Sequence, residues 1–174
     1  MNWNEKQFLR INSLVGKNRW LDAFGRAGAE WVVVAMMGWY ISISFILHFG
    51  NQIAMWLPII TVALGALVGW GLSNLIALKV QEVRPRLKYP EIKILFWPFS
   101  SWKSFPSDHT FGAFLIFFLA LVFNFPTAWS LLPLAIWVGW GRIYAGVHYP
   151  ADVLGGVGLA AIVASVSYFI LKFL

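Results

Sequence analysis

Between Ile53 and Val80 the only charged residue is Lys79. As a helix, such a run is about 40 Å long, and a hydrocarbon core about 30 Å thick takes roughly 20 apolar residues to cross. A chain of 174 residues has no soluble interior in which to hide it. Composition agrees: 60% of residues are hydrophobic, 11% are charged, and mean hydropathy is +0.72. So little charge belongs to an integral membrane protein. The run also holds Gly65 and Gly69, a spacing suited to close helix packing.

Further apolar runs cover about Glu30–Phe49, Ser107–Asn124, Ala128–Tyr144 and Pro150–Leu174. The expected fold is therefore all-α and integral to the membrane, a single domain over residues 1–174 with about five transmembrane helices. Residues 1–26 alternate Trp, Phe and Leu with Lys and Arg. They read as an amphipathic helix in the interface, with room for a short sixth span. They also lack the compact apolar core of a cleavable leader. The connection Gln81–Phe105 is long and rich in Pro, basic and aromatic residues, and reads as an ordered loop on the membrane surface.

Counting spans from the amino terminus brings three polar clusters to one membrane face. They are Arg84-Pro85-Arg86, Ser107-Asp108-His109, and Arg142 with His148 and Asp152. Ionisable groups at a membrane edge are functional candidates. Asp152, four residues after His148, can accept an imidazole N–H, fix the tautomer and raise nucleophilicity. Taken alone, it can equally serve the dipole of a helix that Pro150 starts. Ser107 suits the N-cap of the third run, and helix-start amides bind phosphate. His109 can protonate a leaving group. Two arginines for an oxyanion, a helix amino terminus and two histidines make up an inventory for phosphoryl transfer by covalent catalysis. Metal binding fits less well, because Arg repels a cation and the chain has no Cys. The net charge of +6 suits anionic head groups or an anionic substrate rather than nucleic acid.

These residues resemble the type 2 phosphatidate phosphatase superfamily of membrane lipid phosphatases. Its third motif, Ser-Arg, five residues, His, three residues, Asp, is read here in "GRIYAGVHYPAD", with Gly141 for Ser. Its second, Pro-Ser-Gly-His, is read in "PSDH", with Asp108 for Gly, a form similar to the bacterial undecaprenyl-diphosphatase branch. Its first, Lys, six residues, Arg-Pro, is read in "ALKVQEVRP", with Ala77 at the Lys position. Position 77, seven residues before Arg84, is two turns back on the same face; Lys79, five residues before it, is rotated by about 140°, so it serves only if the helix unwinds or its side chain bends round. Arg86 and Lys103 are other substitutes for the missing cation.

The resemblance implies a reaction. His148 attacks the terminal phosphorus, Asp152 orients it, and His109 protonates the leaving oxygen. Arg84, Arg142, Ser107 and, at best, Lys79 hold the phosphoryl oxygens. No metal and no cofactor are implied. The leading expectation is hydrolysis of an isoprenoid diphosphate lipid such as undecaprenyl diphosphate through a phosphohistidine. The alternatives are another lipid phosphate (phosphatidylglycerophosphate, phosphatidate or lipid A 1-phosphate) and, from another class, a non-catalytic lipid-binding or transport protein. Expected partners are the lipid substrate and membrane lipids, in a bacterial cytoplasmic membrane. On orientation two arguments conflict. Leaving out Arg84 and Arg142, ten basic residues lie on the motif side and only Lys172 opposite, which points the site to the cytoplasm. The resemblance points it to the periplasmic or extracellular face, and that face is the expectation adopted.

Overall fold

The structure is a computed structural model and describes residues 1–98 and 102–173. Among these residues every regular element is helical. The helices are α1 (Trp3–Asn12), α2 (Arg19–Glu30), α3 (Val32–Leu47), α4 (Gln52–Val80), α5 (Pro85–Lys88), α6 (Asp108–Val122), α7 (Leu131–Tyr144) and α8 (Pro150–Lys172), with a 3₁₀ turn at Ala128–Ser130 before α7. Each expected apolar run is a helix. The last residue of the fifth run, Leu174, and residues 99–101 of the long loop lie outside the described residues.

The spans differ in length. By length and composition α4 and α8 each suffice to cross a bilayer, and α2 with α3, bent by 50°, are together long and apolar enough for one broken span or a re-entrant loop. α6 and α7 have 15 and 14 residues, fewer than the roughly 20 of a straight span. The start of α6 is buried in protein, at Ser107 and Thr110. Irregular backbone is tolerated at membrane depth where protein covers it.

α4 is built inside out relative to a soluble helix. Gly65, Gly69, Ser73 and Ala77, spaced four apart, face inward. Ile60, Leu64, Leu67, Leu75 and Leu78 face outward and are exposed. Only a hydrocarbon surround makes that arrangement stable, since water penalises an apolar face of this size. In lipid, helices associate by close contact rather than by hydrophobic burial, so small residues belong at the interface. At Gly69 the Phe111 ring fills the space of the absent side chain. At Gly65 a Cβ would meet only ordinary contacts, the nearest at 3.4 Å.

α6 runs through the centre of the bundle, apolar all round, with Ala113, Ile116 and Leu119 fully buried. The amino-terminal segment is more than an interfacial helix. It forms two helices separated at Gly16, and the second packs on α7 as part of the bundle. Small residues explain this. Ala29 is fully buried, and Trp137 Nε1 donates to Phe24 O at 3.1 Å.

The described residues of the long loop are held by tertiary bonds across one end of the bundle. Asn12 Nδ2 donates to Lys93 O at 2.7 Å, Leu95 N–H to Ala145 O at 3.2 Å, and Ser104 N–H to Glu82 O at 3.1 Å. Trp97 and Trp102 on this loop are exposed, as are Trp3 and Trp20 on α1 and α2. Indole rings favour the head-group level, so these mark the interface on the motif side.

Candidate active site

Pro150 at the first turn of α8 lacks an N–H that the helix could not use there in any case. Asp152 therefore sits in the first helical turn, fully buried, and turns back on the loop that precedes it. Its Oδ2 accepts from Tyr149 N–H at 2.8 Å and from Ser104 Oγ at 2.6 Å. His148 Nδ1 lies 3.4 Å from the same oxygen, longer than an ordinary hydrogen bond. This places Nδ1 toward the carboxylate and leaves Nε2 as the free ring nitrogen. Asp152 Oδ1 is buried without a partner among the described residues. Burial pushes the His148 pKa down to about 4, with the Arg142 charge acting the same way and Asp152 opposing them. The imidazole is thus neutral at physiological pH, the state a nucleophile needs.

Two arginines flank this pair. Arg84 Nη1 donates to Val147 O at 3.0 Å, next to His148, and Arg142 Nη1 donates to Ala29 O at 2.9 Å. Both are almost fully buried, and the Nε of each has no partner among the described residues. Burial weighs against the Arg84 charge, while Asp152 and Asp108 favour it. A buried N–H donor left open is costly, and an oxyanion accommodated there removes the cost.

The start of α6 completes the cluster. Ser107 N–H donates to Asp152 O at 3.0 Å, tying this helix start to that of α8. Gly156 allows the approach, because a Cβ there would lie 2.7 Å from Ser107 O. Ser107 does occupy the N-cap position. Its hydroxyl, however, makes no cap bond to the backbone and instead accepts from Thr110 Oγ1 at 3.0 Å. The first amides of α6 are consequently not capped by a side chain, which suits an incoming anion. His109, the second residue of α6, is exposed.

The structure thus brings Arg84, Ser107, Arg142, His148 and Asp152 together, with His109 at the edge. Lys79 is not among them: it is exposed on the outer face of α4 while Ser73 and Ala77 are buried on the inner face. The helix continues regularly to Val80, so the rotation between positions 77 and 79 is preserved and Lys79 points away. Arg86 is also turned aside, its guanidinium over the Trp97 ring at 4.7 Å.

Three residues were not singled out for these contacts by sequence reasoning. Ser104 bonds Asp152. Ser73 and Lys103 form a cluster with Asp108: Ser73 Oγ donates to Asp108 Oδ1 at 2.6 Å, and Lys103 Nζ lies 2.9 Å from both Ser73 Oγ and Asp108. The four-residue spacing of small residues on α4 was the one signal for Ser73, since it places a hydroxyl on the inward face.

Gly141, the departure from the third motif, also has a structural reason. A Cβ there would lie 2.6 Å from Ala29 N and 2.9 Å from Gly25 O. The backbone of α2 occupies the space a serine would need.

Comparison with known proteins shows the family. The PAP2 superfamily profile matches residues 54–173. The chain belongs to the PAP2 superfamily. It is a metal-independent membrane lipid phosphatase, and among the described residues no group of three or more His, Cys, Asp or Glu side chains is gathered to hold a metal. The chain is 31% identical over 160 residues to undecaprenyl-diphosphatase BcrC of Bacillus subtilis, covering 92% of this chain and 80% of that one. It is 36% identical over 95 residues to lipid A 1-phosphatase of Rhizobium johnstonii, covering 52% of this chain and 38% of that one. In fold it is similar to LpxE of Aquifex aeolicus, with a TM-score of 0.69 at 24% identity over 96% of this chain and 95% of that one. It is also similar to a PAP2-type phosphatidylglycerolphosphate phosphatase of Bacillus subtilis, with a TM-score of 0.67 at 20% identity over all of this chain and 89% of that one. This PAP2 phosphatase is a multi-pass membrane protein with bacterial relatives.

Proposed function

We propose that the chain hydrolyses the terminal phosphate of an isoprenoid diphosphate lipid such as undecaprenyl diphosphate, through a phosphohistidine on His148. The observation that carries this reading is the buried, neutral His148 held beside Asp152 between two buried arginines with open Nε donors. His148 Nε2 attacks the terminal phosphorus, and the bond from phosphorus to the bridging oxygen breaks. A proton passes from His109 to that oxygen. Water then attacks the phosphohistidine, His109 takes the proton from water, and the P–N bond breaks to release inorganic phosphate. Arg84, Arg142 and the first amides of α6 hold the equatorial oxygens, where charge develops.

The choice of substrate rests on the long match to BcrC of Bacillus subtilis. An apolar groove between α4 and α8, lined by Leu64, Val68, Leu72 and Val163 among others, opens to the lipid and suits a long hydrocarbon tail. The shorter match to lipid A 1-phosphatase favours a second reading, a saccharide-lipid phosphate handled by the same residues. The site is read as facing the periplasm or cell exterior.

The test is phosphate release by the purified protein in detergent with EDTA present, comparing undecaprenyl diphosphate with lipid A 1-phosphate, phosphatidylglycerophosphate and phosphatidate. Preference for the diphosphate and acid-labile phosphate on His148 are expected. A His148→Ala protein as active as wild type would falsify the nucleophile.

A further inference from the structure

Lys103, which is buried, and Asp108, which is partly exposed, form an ion pair beside the site that the reaction above does not use. Lys103 comes from the loop, with a side chain only 6% exposed; Asp108 is the first residue of α6, 36% exposed. The lysine Nζ is 2.9 Å from the carboxylate and 2.9 Å from Ser73 Oγ, whose own proton goes to Asp108 Oδ1. Asp108 therefore receives both neighbours, and Ser73 fixes the ammonium against α4 one turn before Ala77.

The carboxylate is badly placed for an anion-binding enzyme. It stands between Ser107 and His109, at the helix start where a phosphate would dock. A negative side chain there competes for the same amides and dipole and repels the substrate. Leaving the two imidazoles out of the count, Arg84, Arg142 and Lys103 contribute three positive charges, and Asp108 and Asp152 two negative ones. The sum is +1 with Lys103 and 0 without it. α4 supplies no alternative cation, because its inward position 77 is an alanine and Lys79 faces outward.

We propose that Lys103 is the charge-balancing residue for substrate binding: seated on Ser73, it neutralises Asp108 so that the start of α6 accepts a lipid phosphate. This rests on the lipid phosphatase reading of the same site. Lys103 acts through Asp108 and is a positioning residue rather than a catalytic one. Its loss lowers substrate binding and leaves the chemical step largely intact.

The experiment compares wild type, Lys103→Met, and Lys103→Met/Asp108→Asn, with kcat and KM measured on undecaprenyl diphosphate and phosphatidate. Inhibition by inorganic phosphate and thermal stability in detergent are read alongside. Lys103→Met should raise KM and weaken phosphate inhibition by about tenfold or more, with a smaller change in kcat. The double variant restores the +1 balance with a near-isosteric side chain and should return KM to within about threefold of wild type. Unchanged KM in Lys103→Met overturns the proposal. So does a double variant no better than the single one at equal thermal stability, because that is the outcome of a merely structural role. If wild type hydrolyses no lipid phosphate, the functional reading fails instead, and phosphate binding by the three proteins still decides the role of Lys103.

Discussion

Ser104 Oγ reaches Asp152 Oδ2 at 2.6 Å, whereas His148 Nδ1 is 3.4 Å from the same oxygen. The carboxylate is therefore held chiefly by the loop serine and by Tyr149 N–H, and presented to the histidine. Ser104→Ala removes the shortest of these bonds and lets the carboxylate turn. Steady-state kinetics should show kcat lower by about tenfold, the effect of losing a bond to a charged group, with KM little changed. An unaltered kcat would mean that Tyr149 N–H alone positions Asp152.

Arg84 and Lys79 lie five residues apart and are predicted to behave oppositely. Arg84→Ala removes a buried donor with an open Nε and should lower kcat/KM by about 10²-fold or more, as loss of an oxyanion-binding group does. Lys79→Ala removes an exposed charge on the lipid side of α4 and should stay within about twofold of wild type. A large loss in Lys79→Ala would place its side chain in the site and contradict the outward rotation.

Gly141→Ser restores the family residue and should harm the protein. The added Cβ would lie 2.6 Å from Ala29 N, and backbone cannot retreat as a side-chain tip can. Overpacking of this kind costs about 1–3 kcal/mol. A lower Tm in detergent is expected, with Gly141→Ala intermediate. Equal Tm values for all three proteins would show that α2 can shift away from α7.

The depressed His148 pKa sets a pH window. In the proposed reaction only the neutral imidazole attacks, and burial keeps it neutral until about pH 4 rather than the 6.5 of a free imidazole. Acidification from pH 7 to 5 therefore leaves the nucleophile in its active form. A substrate phosphate titrating near pH ~6 puts its own limb on the rate profile, so rates alone do not isolate the histidine. Nitrogen-15 NMR of ring-labelled protein does. The His148 resonances should report neutral imidazole at pH 6 and protonate only near pH 4; a midpoint at or above 6 counts against the buried environment described.

Orientation is decided by a reporter fused to the carboxyl terminus. With α3, α4, α6, α7 and α8 each counted as a crossing, that terminus lies on the side opposite the motif residues. With the site facing outward, the reporter is cytoplasmic; a periplasmic reporter reverses the assignment.

Much of this was legible in the sequence, for identifiable reasons. Apolar runs report helices because lipid demands them, and span parity alone sends Arg84, Ser107 and Arg142 to one end. The four-residue step from His148 to Asp152 is local, so helix geometry carries it. Ser104 and Lys103 were not legible as contacts of Asp152 and Asp108, because both lie in a loop without periodicity and their partners are tertiary. The fit of α2 against Gly141 was hidden for a related reason: residues 19–26 look interfacial by their Trp and Arg, while Gly25, Gly28 and Ala29, which make the contact, carry no charge pattern at all.

The seat of Gly156 on the Ser107 carbonyl has a mechanical consequence. The helix that follows His148 and the helix that begins after Ser107 meet backbone to backbone, with no side chain between them to act as a bearing. α6 and α8 therefore tilt as one rigid body. Parting them to admit a lipid head group would break the backbone bond from Ser107 N–H to Asp152 O.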